Sequence, residues 1–442
     1  MKQISAKEYL IAAVIGFLIG LRLLGPLLGI PYMAAVGLCG YYAFKNDIDK
    51  LFTVLPYVIF TEIFIRNGAG VTYVPYLFME YALIVICIIM LLKKQGSLKL
   101  HSRCALPIFL YMIVEALDMV RSEEVTYARA MLTNTIVLTV VALWASTYSF
   151  TPKNMPTVIK HLTLAAVYLC GNILVAHFTH NITYGNVSSS EATNRMAPVQ
   201  ISAYLGIGTS MLFLYIMQEK SRVHFLMHLF SFTIMVTLMV LTFSRGGIYF
   251  LASVIALYSL LNWKQIGKFS IFLLFIPIAY IIYYYAFNAT DGRIETRYVV
   301  KGNSGRTELV EAGFTIFSED PLAGVGTGNY GKTLVSRNLY GAESGAHNEF
   351  VRAAAEHGVL GIIFYWGFYA VIFFEILIRK KSQRDFALYL LVLFCLIIVH
   401  NGLKIGVQFY ILMLLIATPS FIKSLNKKYV QTEPGKFITR FN

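Results

Sequence analysis

The chain has 442 residues, of which 57% are hydrophobic and only 14% charged, and its mean hydropathy is +0.65. A soluble domain carries about 25% charged residues, so this composition excludes a soluble globular protein and indicates an integral membrane protein. The net charge of +14 does not predict nucleic-acid binding, because the basic residues are divided between the two faces of the membrane and no soluble domain carries them.

Hydrophobic runs of about 20 residues, the length that crosses a bilayer, follow one another along most of the chain. We predict an all-α, polytopic membrane protein with 12–14 transmembrane helices and one long extracytoplasmic loop. The fourteen candidate spans lie near residues 8–25, 27–44, 51–66, 72–92, 104–121, 127–147, 156–178, 199–217, 223–243, 246–262, 269–287, 358–378, 385–401 and 405–422.

The predicted organisation has four parts. Residues 1–195 contain the N-terminal transmembrane helices, and residues 196–286 contain further helices with an arginine at their outer junction. Residues 287–357 form the polar extracytoplasmic loop, in which we expect the chemistry to occur. Residues 358–442 contain the last helices and a cytoplasmic tail.

The distribution of lysine and arginine among the connections between spans predicts that both termini lie on the inner side of the membrane. In this orientation 18 of the 23 inner basic residues are lysine, whereas 11 of the 14 outer ones are arginine. Lysine is sufficient to set topology, whereas the planar arginine fork binds phosphate bidentately and stays charged when dehydrated. The asymmetry therefore predicts an anionic substrate at the outer leaflet, most simply a lipid phosphate or pyrophosphate.

His347 lies in the arginine-bearing loop, and an imidazole there can take or give a proton at neutral pH. Residues 326–333 fit the P-loop pattern GxxxxGK[ST], but a turn precedes them instead of a buried strand. We interpret those glycines as shaping a tight loop between two short helices. The five cysteines show no CxxC spacing, and we expect neither a metal nor another cofactor.

Three stretches together resemble the O-antigen ligase and O-antigen polymerase superfamily of bacterial membrane glycosyltransferases. The first is Ser-Arg-Gly-Gly at residues 244–247. The second begins with Gly-Arg at residues 305–306 and continues through residues 317–326. The third is His-Asn-Glu-Phe at residues 347–350, followed by residues 356–361. The resemblance covers roughly residues 195–402, and its specificity comes from the order and spacing of the motifs.

The resemblance implies a glycosyltransferase fold of the GT-C type and a glycan donor linked to undecaprenyl pyrophosphate. The transfer would be inverting and metal-independent, on the outer face of the bacterial cytoplasmic membrane. By motif, Arg245 and Arg306 would bind the pyrophosphate, and His347 would act on the acceptor hydroxyl. Arg195 occupies the place of another family arginine, although the Pro-Asn that usually follows is replaced here. Among the outer arginines we also assign Arg352 to the pyrophosphate site.

The catalytic base has two interpretations, because a sugar hydroxyl is a poor acid. His347 would assist its deprotonation, or it would only orient the hydroxyl, with Glu308 or Glu349 as the reserve base. Fixed arginines would stabilise the pyrophosphate leaving group electrostatically.

Of the functions that the family covers, we favour a polymerase of O-antigen or capsule repeat units, which transfers one lipid-linked glycan to another. Its partners would be the lipid-linked donor and acceptor, membrane lipids, a flippase and a chain-length regulator, with no nucleic acid. One alternative is a ligase that transfers the glycan to lipid A core or another acceptor. An alternative of another class is a flippase or other transporter, but such proteins show internal repeats, and the sequence shows none.

Overall fold

The computed structural model describes residues 4–67, 71, 73–75, 77–94, 100–148, 155–179, 182–185, 187–263, 266–300, 305–379, 381–402 and 406–417. Within these residues every regular element is a helix, which confirms the predicted all-α class. The α-helices are α1 Ala6–Gly20, α2 Gly29–Phe44, α3 Ile48–Asn67, α4 Phe78–Leu92, α5 Ala105–Asp118, α6 Val125–Thr147, α7 Met155–Thr179, α8 Pro198–Ile216, α9 Arg222–Leu241, α10 Gly246–Leu261, α11 Ile266–Ala289, α12 Arg293–Glu295, α13 Arg306–Glu319, α14 Tyr330–Ser336, α15 Glu349–Gly361, α16 Gly367–Leu377, α17 Lys381–His400 and α18 Val407–Ala417.

A helix lies at each of the fourteen positions predicted from hydropathy, and seven helical segments of the described chain are long and apolar enough to cross a membrane. Fewer segments qualify than were predicted because some of the helices are too short or carry too many charges. At 1.5 Å per residue, the 14 residues of α5 reach only about 21 Å, against about 30 Å for the bilayer core. α3 is longer but carries four charged residues. The seven segments are Gly25–Phe44, Val125–Thr147, Pro156–Thr179, Pro198–Ile216, Arg222–Leu241, Glu349–Leu377 and Gln383–His400.

The centre of the helical bundle is formed by α7, α8 and α18. All eleven residues of α18 are buried, as is 89% of the apolar stretch in both α7 and α8. In contrast, only 28% of the apolar stretch is buried in Gly25–Phe44 and in α9. Apolar side chains left outside a helical bundle are those that lipid tails would cover, so these two segments belong to the lipid-facing perimeter.

Small residues bring the backbones of neighbouring helices into contact. A Cβ on Gly16 of α1 would lie 1.8 Å from the carbonyl oxygen of Tyr168 in α7. Similarly, a Cβ on Gly206 of α8 would lie 2.6 Å from the Cα of Gly247 in α10. Membrane helices associate through such small-residue contacts, because burial of apolar surface supplies no driving force within lipid. The α8–α10 contact also fixes the position of the short connection between α9 and α10.

The polar stretch between α11 and α16 folds into short helices with a small hydrophobic core of their own. Leu309, Ile316, Tyr330 and Leu334 pack together and reach Ala355 of α15. The α13–α14 connection follows α15 with backbone hydrogen bonds, from Val325 N to Ala355 O (3.0 Å) and from Gly326 N to Glu356 O (2.8 Å). This stretch, which the sequence predicts to be extracytoplasmic and which we call the outer region, is therefore packed against the helix that leads back into the bundle.

Helix α15 begins at Glu349, nine residues before the predicted start of that span. It continues through a π turn at Ile362–Trp366 into α16. Gly358 breaks its regularity with φ +58, a conformation that glycine adopts without steric cost. At this break the Val359 amide donates to the carbonyl of Pro321 (2.8 Å). The glycine thus allows the α13–α14 connection to lie directly on the helix backbone.

Of residues 326–333, the first four form a tight loop and the last four begin the seven-residue helix α14. Gly326 and Gly328 have φ values of +94 and +81, so both need the conformational freedom of glycine. The hydroxyl of Thr327 donates to the carbonyl of Glu115 (2.7 Å), which ties the loop to the end of α5. A turn precedes the loop, and a P-loop needs a buried strand there, so the structure gives this segment no nucleotide-binding fold.

Candidate functional site

Residues 244–247, where the connection from α9 enters α10, are held in place by α8. The hydroxyl of Ser202 donates to the carbonyl of Ser244 (2.9 Å) and accepts from the amide of Gly247 (3.0 Å). A Cβ on Gly247 would lie 2.1 Å from the Ser202 carbonyl oxygen, and one on Gly246 would lie 2.2 Å from the His400 ring. The two glycines therefore allow α8 and His400 to approach, and Arg245 is fixed at the start of α10.

Arg306 is placed by the glycine that precedes it. Gly305 has φ +72 and forms the N-cap of α13. A Cβ there would also lie 2.5 Å from the Tyr340 hydroxyl oxygen. Arg306 then begins the helix, and its guanidinium contacts Nδ1 of His400 at the end of α17. The first and second motifs therefore both contact His400, since its ring also lies against Gly246.

Arg297 is a third arginine at this place, outside the motifs identified from the sequence. Its Nε donates to the carbonyl of Phe243 (2.9 Å), and its own carbonyl accepts from Nη2 of Arg245 (2.7 Å). In the sequence, Arg297 is distinguished only as one of the eleven arginines on the predicted outer side.

The electrostatics of these arginines show that they lie close together. Burial lowers the pKa of Arg306, and the positive charges of Arg297 and Arg245 lower it further. Burial followed by the charge of Arg245 likewise lowers the pKa of Arg297. Both remain protonated at neutral pH because guanidinium is so weak an acid. Within the described residues neither Arg297 nor Arg306 forms an ion pair with a carboxylate. The region is therefore suited to bind an anion.

Two histidines complete this region. His347 is exposed, has φ +49 and precedes α15, whose N-cap Asn348 accepts hydrogen bonds from the amides of Phe350 (3.1 Å) and Val351 (3.4 Å). A Cβ on Gly402, two residues after His400, would lie 2.7 Å from Oε1 of Glu349, two residues after His347, and a positive charge on His347 would disfavour one on His400. In the sequence His400 is distinguished only as the outer end of a span. We call Arg245, Arg297, Arg306, His347 and His400 the basic cluster.

Arg352, predicted to bind pyrophosphate, lies elsewhere. Its side chain is 1% exposed, and it forms ion pairs with Glu115 (2.9 Å), Glu349 (2.6 Å) and Glu356 (2.7 Å). Three carboxylates around one buried guanidinium leave no charge for a substrate phosphate, so this assignment is corrected to a structural role. We call Arg352 and these three glutamates the carboxylate cluster.

The two glutamates predicted as reserve bases lie in different environments. Glu349 is 4% exposed and its carboxylate is bound by Arg352, which removes it as a proton acceptor. Glu308 is exposed in the first turn of α13, two residues after Arg306. Residues two apart in a helix point to different sides, so Glu308 does not share the face of Arg306. Neither glutamate is therefore carried into the mechanism proposed below.

Arg195 lies in the segment before α8. It is exposed with φ +60, and its charge acts on Arg22. The same segment is joined to the end of α9 by a hydrogen bond from the Ser189 amide to the Thr242 carbonyl (3.1 Å). Arg195 is thus on the same side of the bundle as Arg245, but no hydrogen bond of the described residues connects the two.

One group of potential metal ligands exists among the described residues, formed by Glu115, Glu356 and His357, whose ligand atoms lie within 4.8 Å of one another. Nη1 of Arg352 lies between the two carboxylates, at 2.9 and 2.7 Å. A guanidinium already occupies the position that a metal cation would need. His357 instead pairs with Asp118 through Nδ1 (2.7 Å). These residues therefore do not fit a metal ion.

Comparison with known proteins agrees with the resemblance found in the sequence. Residues 230–366 match the family model described as O-antigen ligase. The matched range contains Arg245, Arg297, Arg306 and His347, and it ends before His400. A search of curated proteins finds no match. The chain is thus an all-α, polytopic membrane protein in which residues 230–366 are similar to the O-antigen ligase family.

Proposed function

We propose that the protein is a polysaccharide polymerase of the GT-C type in the bacterial cytoplasmic membrane. It would transfer an O-antigen or capsule glycan from undecaprenyl pyrophosphate to a lipid-linked acceptor glycan on the outer face. The observation that carries this proposal is the basic cluster. Three half-buried arginines, two of them without a carboxylate partner among the described residues, adjoin an exposed histidine at one end of the bundle.

The charge of the cluster explains how a lipid pyrophosphate would be bound. Arg245, Arg297 and Arg306 repel one another, and partial burial makes this repulsion more costly than in water. A pyrophosphate would relieve it, and guanidinium forks match phosphate oxygens bidentately. Arg245 and Arg297 are already oriented by backbone hydrogen bonds, so little reorganisation would be needed when the leaving-group charge develops.

The chemical step would be a single displacement. The acceptor oxygen attacks the anomeric carbon, the bond from that carbon to the pyrophosphate oxygen breaks, and undecaprenyl pyrophosphate leaves with the electron pair. His347 accepts the hydroxyl proton or orients the hydroxyl, a contribution of about 10²–10⁴-fold in rate. Attack opposite the leaving group inverts the anomeric configuration. The arginines supply the positive charge that a metal provides in other transferases, so the reaction is metal-independent.

A transfer assay tests the proposal. Purified protein in lipid nanodiscs is incubated with undecaprenyl-pyrophosphate-linked repeat units and EDTA, and the products are separated by size. A ladder of chain lengths is expected. Arg245→Lys should lose most of this activity if the contact with phosphate is bidentate, because lysine supplies only a point charge. Absence of a ladder together with transfer to lipid A core would instead establish the ligase, whose donor site would be the same. Activity lost on adding EDTA would remove the metal-independent mechanism.

Orientation of the cluster is a second part of the proposal. The lysine and arginine distribution predicts that both termini lie inside and the basic cluster on the periplasmic or extracellular side. A flippase is a proposed protein partner because the donor would have to reach that side, and a chain-length regulator is proposed as a partner of the polymerase. Cysteine accessibility in intact cells tests this topology: a cysteine at exposed Glu308 should react with a membrane-impermeant maleimide, and one at Lys50 should not.

A further inference from the structure

A polar groove lies in the outer region, between α14 and the turn that joins α5 to α6. It consists of a cavity of about 250 Å³ and a second of about 610 Å³, and Lys332 and Glu343 line both. Residues 328–333 of the glycine-rich loop supply one wall. The combined space is in the range of small-ligand sites. This loop, which lacks a P-loop fold, therefore has a surface that the basic cluster does not use.

The cations of the groove are already paired. The Lys332 ammonium lies 3.1 Å from Glu124 and 3.6 Å from Glu123. The hydrogen bond to Glu124 raises the pKa of Lys332, so its charge persists at neutral pH. Arg337 binds Asp320 (2.6 Å) in the same way. A phosphate would have to displace these carboxylates, so the groove is unsuited to the anion that the basic cluster attracts.

One carboxylate remains for a ligand. Glu343 is exposed and, within the described residues, forms no ion pair. Each sugar hydroxyl both donates and accepts hydrogen bonds, so it can donate to Glu343 and accept from Lys332 at the same time. The half-buried Tyr127 lines the smaller cavity and offers an aromatic ring with a polar tip. The combination of carboxylate, ammonium and aromatic ring matches an uncharged or weakly charged glycan.

The groove lies close to His347 along the chain. Ser344 lines the smaller cavity, and its carbonyl oxygen lies 3.2 Å from the position of a Cβ on Gly331. His347 follows three residues later, so even a fully extended chain places its Cα within about 11 Å of that of Ser344. An acceptor of a few sugars seated beside Ser344 would thus be long enough to reach the histidine.

We infer that this groove, lined by Glu124, Tyr127, Lys332, Glu343 and Ser344, binds the acceptor glycan and directs its terminal hydroxyl to His347. The inference rests on the proposed transferase function and adds to it the place of the acceptor. The pyrophosphate would then bind the basic cluster, and the acceptor sugar would bind a groove whose cations are paired with carboxylates.

Direct binding tests the inference separately from catalysis. The probe is the repeat-unit oligosaccharide of the producing strain, released from its lipid by mild acid and titrated calorimetrically into full-length protein in nanodiscs. Glu343→Gln and Tyr127→Ala should each raise Kd at least about tenfold, and the apparent KM for lipid-linked repeat units should rise more than kcat falls. Glu311→Gln is the matched control, because Glu311 is exposed on α13 and does not line the groove.

The outcomes separate the two proposals. Unchanged Kd and KM in both groove variants, with a ladder still formed, would overturn the groove and leave the transferase standing. Glu343-dependent binding without any transfer by wild-type protein would support the groove and overturn the transferase. His347→Ala should bind the oligosaccharide normally while making no polymer. Equal thermal midpoints of all variants exclude misfolding as the cause.

Discussion

Arg306 and Arg352 show how differently the same side chain is used in two regions of this molecule. Arg306 is half-buried, contacts a histidine and has two other arginines as electrostatic neighbours. Arg352 is fully buried and paired with three glutamates. A buried guanidinium with several carboxylates holds helices together, whereas clustered guanidiniums without them need an anion from outside. The number of carboxylates within reach therefore distinguishes the structural from the functional arginine.

The largest expected effect is on the carboxylate cluster. Arg352→Ala would leave Glu115, Glu349 and Glu356 buried without their counter-charge, and removal of one partner of a buried pair costs about 3–5 kcal/mol. We expect a large drop in the thermal midpoint measured by fluorescence in detergent. Arg337→Ala, which removes exposed pairs with Glu319 and Asp320, is the control and should cost less than about 1 kcal/mol. Equal thermal midpoints for Arg352→Ala and Arg337→Ala would contradict the structural role of Arg352.

Substitution in the basic cluster should lower activity without lowering stability. Arg306→Ala is expected to lower glycan transfer by about 10²–10³-fold, the effect of losing one preorganised donor to a developing charge, or about 2.7–4 kcal/mol. Its thermal midpoint should stay the same or rise, because the variant removes repulsion from Arg297 and Arg245. Arg293→Ala, an exposed arginine of the same outer region, is the control. Full-length polymer from Arg306→Ala would exclude this residue from the mechanism.

Backbone packing beneath the cluster predicts a smaller effect. In Gly247→Ala the new Cβ would lie 2.1 Å from the Ser202 carbonyl oxygen, so α8 and α10 must separate. Overpacking of this kind costs about 1–3 kcal/mol, and the displaced Arg245 should also weaken transfer. Gly367→Ala in α16 is the matched control, since its Cβ would meet nothing within 4 Å. Thermal unfolding of both variants measures the difference, and a midpoint of Gly247→Ala at or above that of the control would contradict the close contact.

The smallest effect is expected at Glu308. It is exposed and lies on a different side of α13 from Arg306, so Glu308→Gln should change the transfer rate less than about twofold. The measurement is initial rate at saturating repeat units. A decrease of a hundredfold or more would restore Glu308 as the base and would require α13 to rotate when substrate binds.

The all-α membrane class and the three motifs could be predicted from the sequence alone, and the motifs were informative because their glycines occupy positions that exclude a larger side chain. Gly305 needs a positive φ, which is a local requirement, whereas Gly246 and Gly247 leave the space that His400 and Ser202 approach. A glycine at a given position can be read directly from the sequence, and so can the charge and the length of the apolar runs that define membrane helices.

Which charged residues contact each other depends on how the helices pack. Arg352 and Arg306 look alike in sequence, but Glu115 of α5 reaches one and His400 of α17 reaches the other. Arg297 and His400 joined the basic cluster for the same reason, since helices far apart in sequence carry them to one place. Pairing of charges depends on distances between helices, and hydropathy and residue spacing along the chain do not encode those distances.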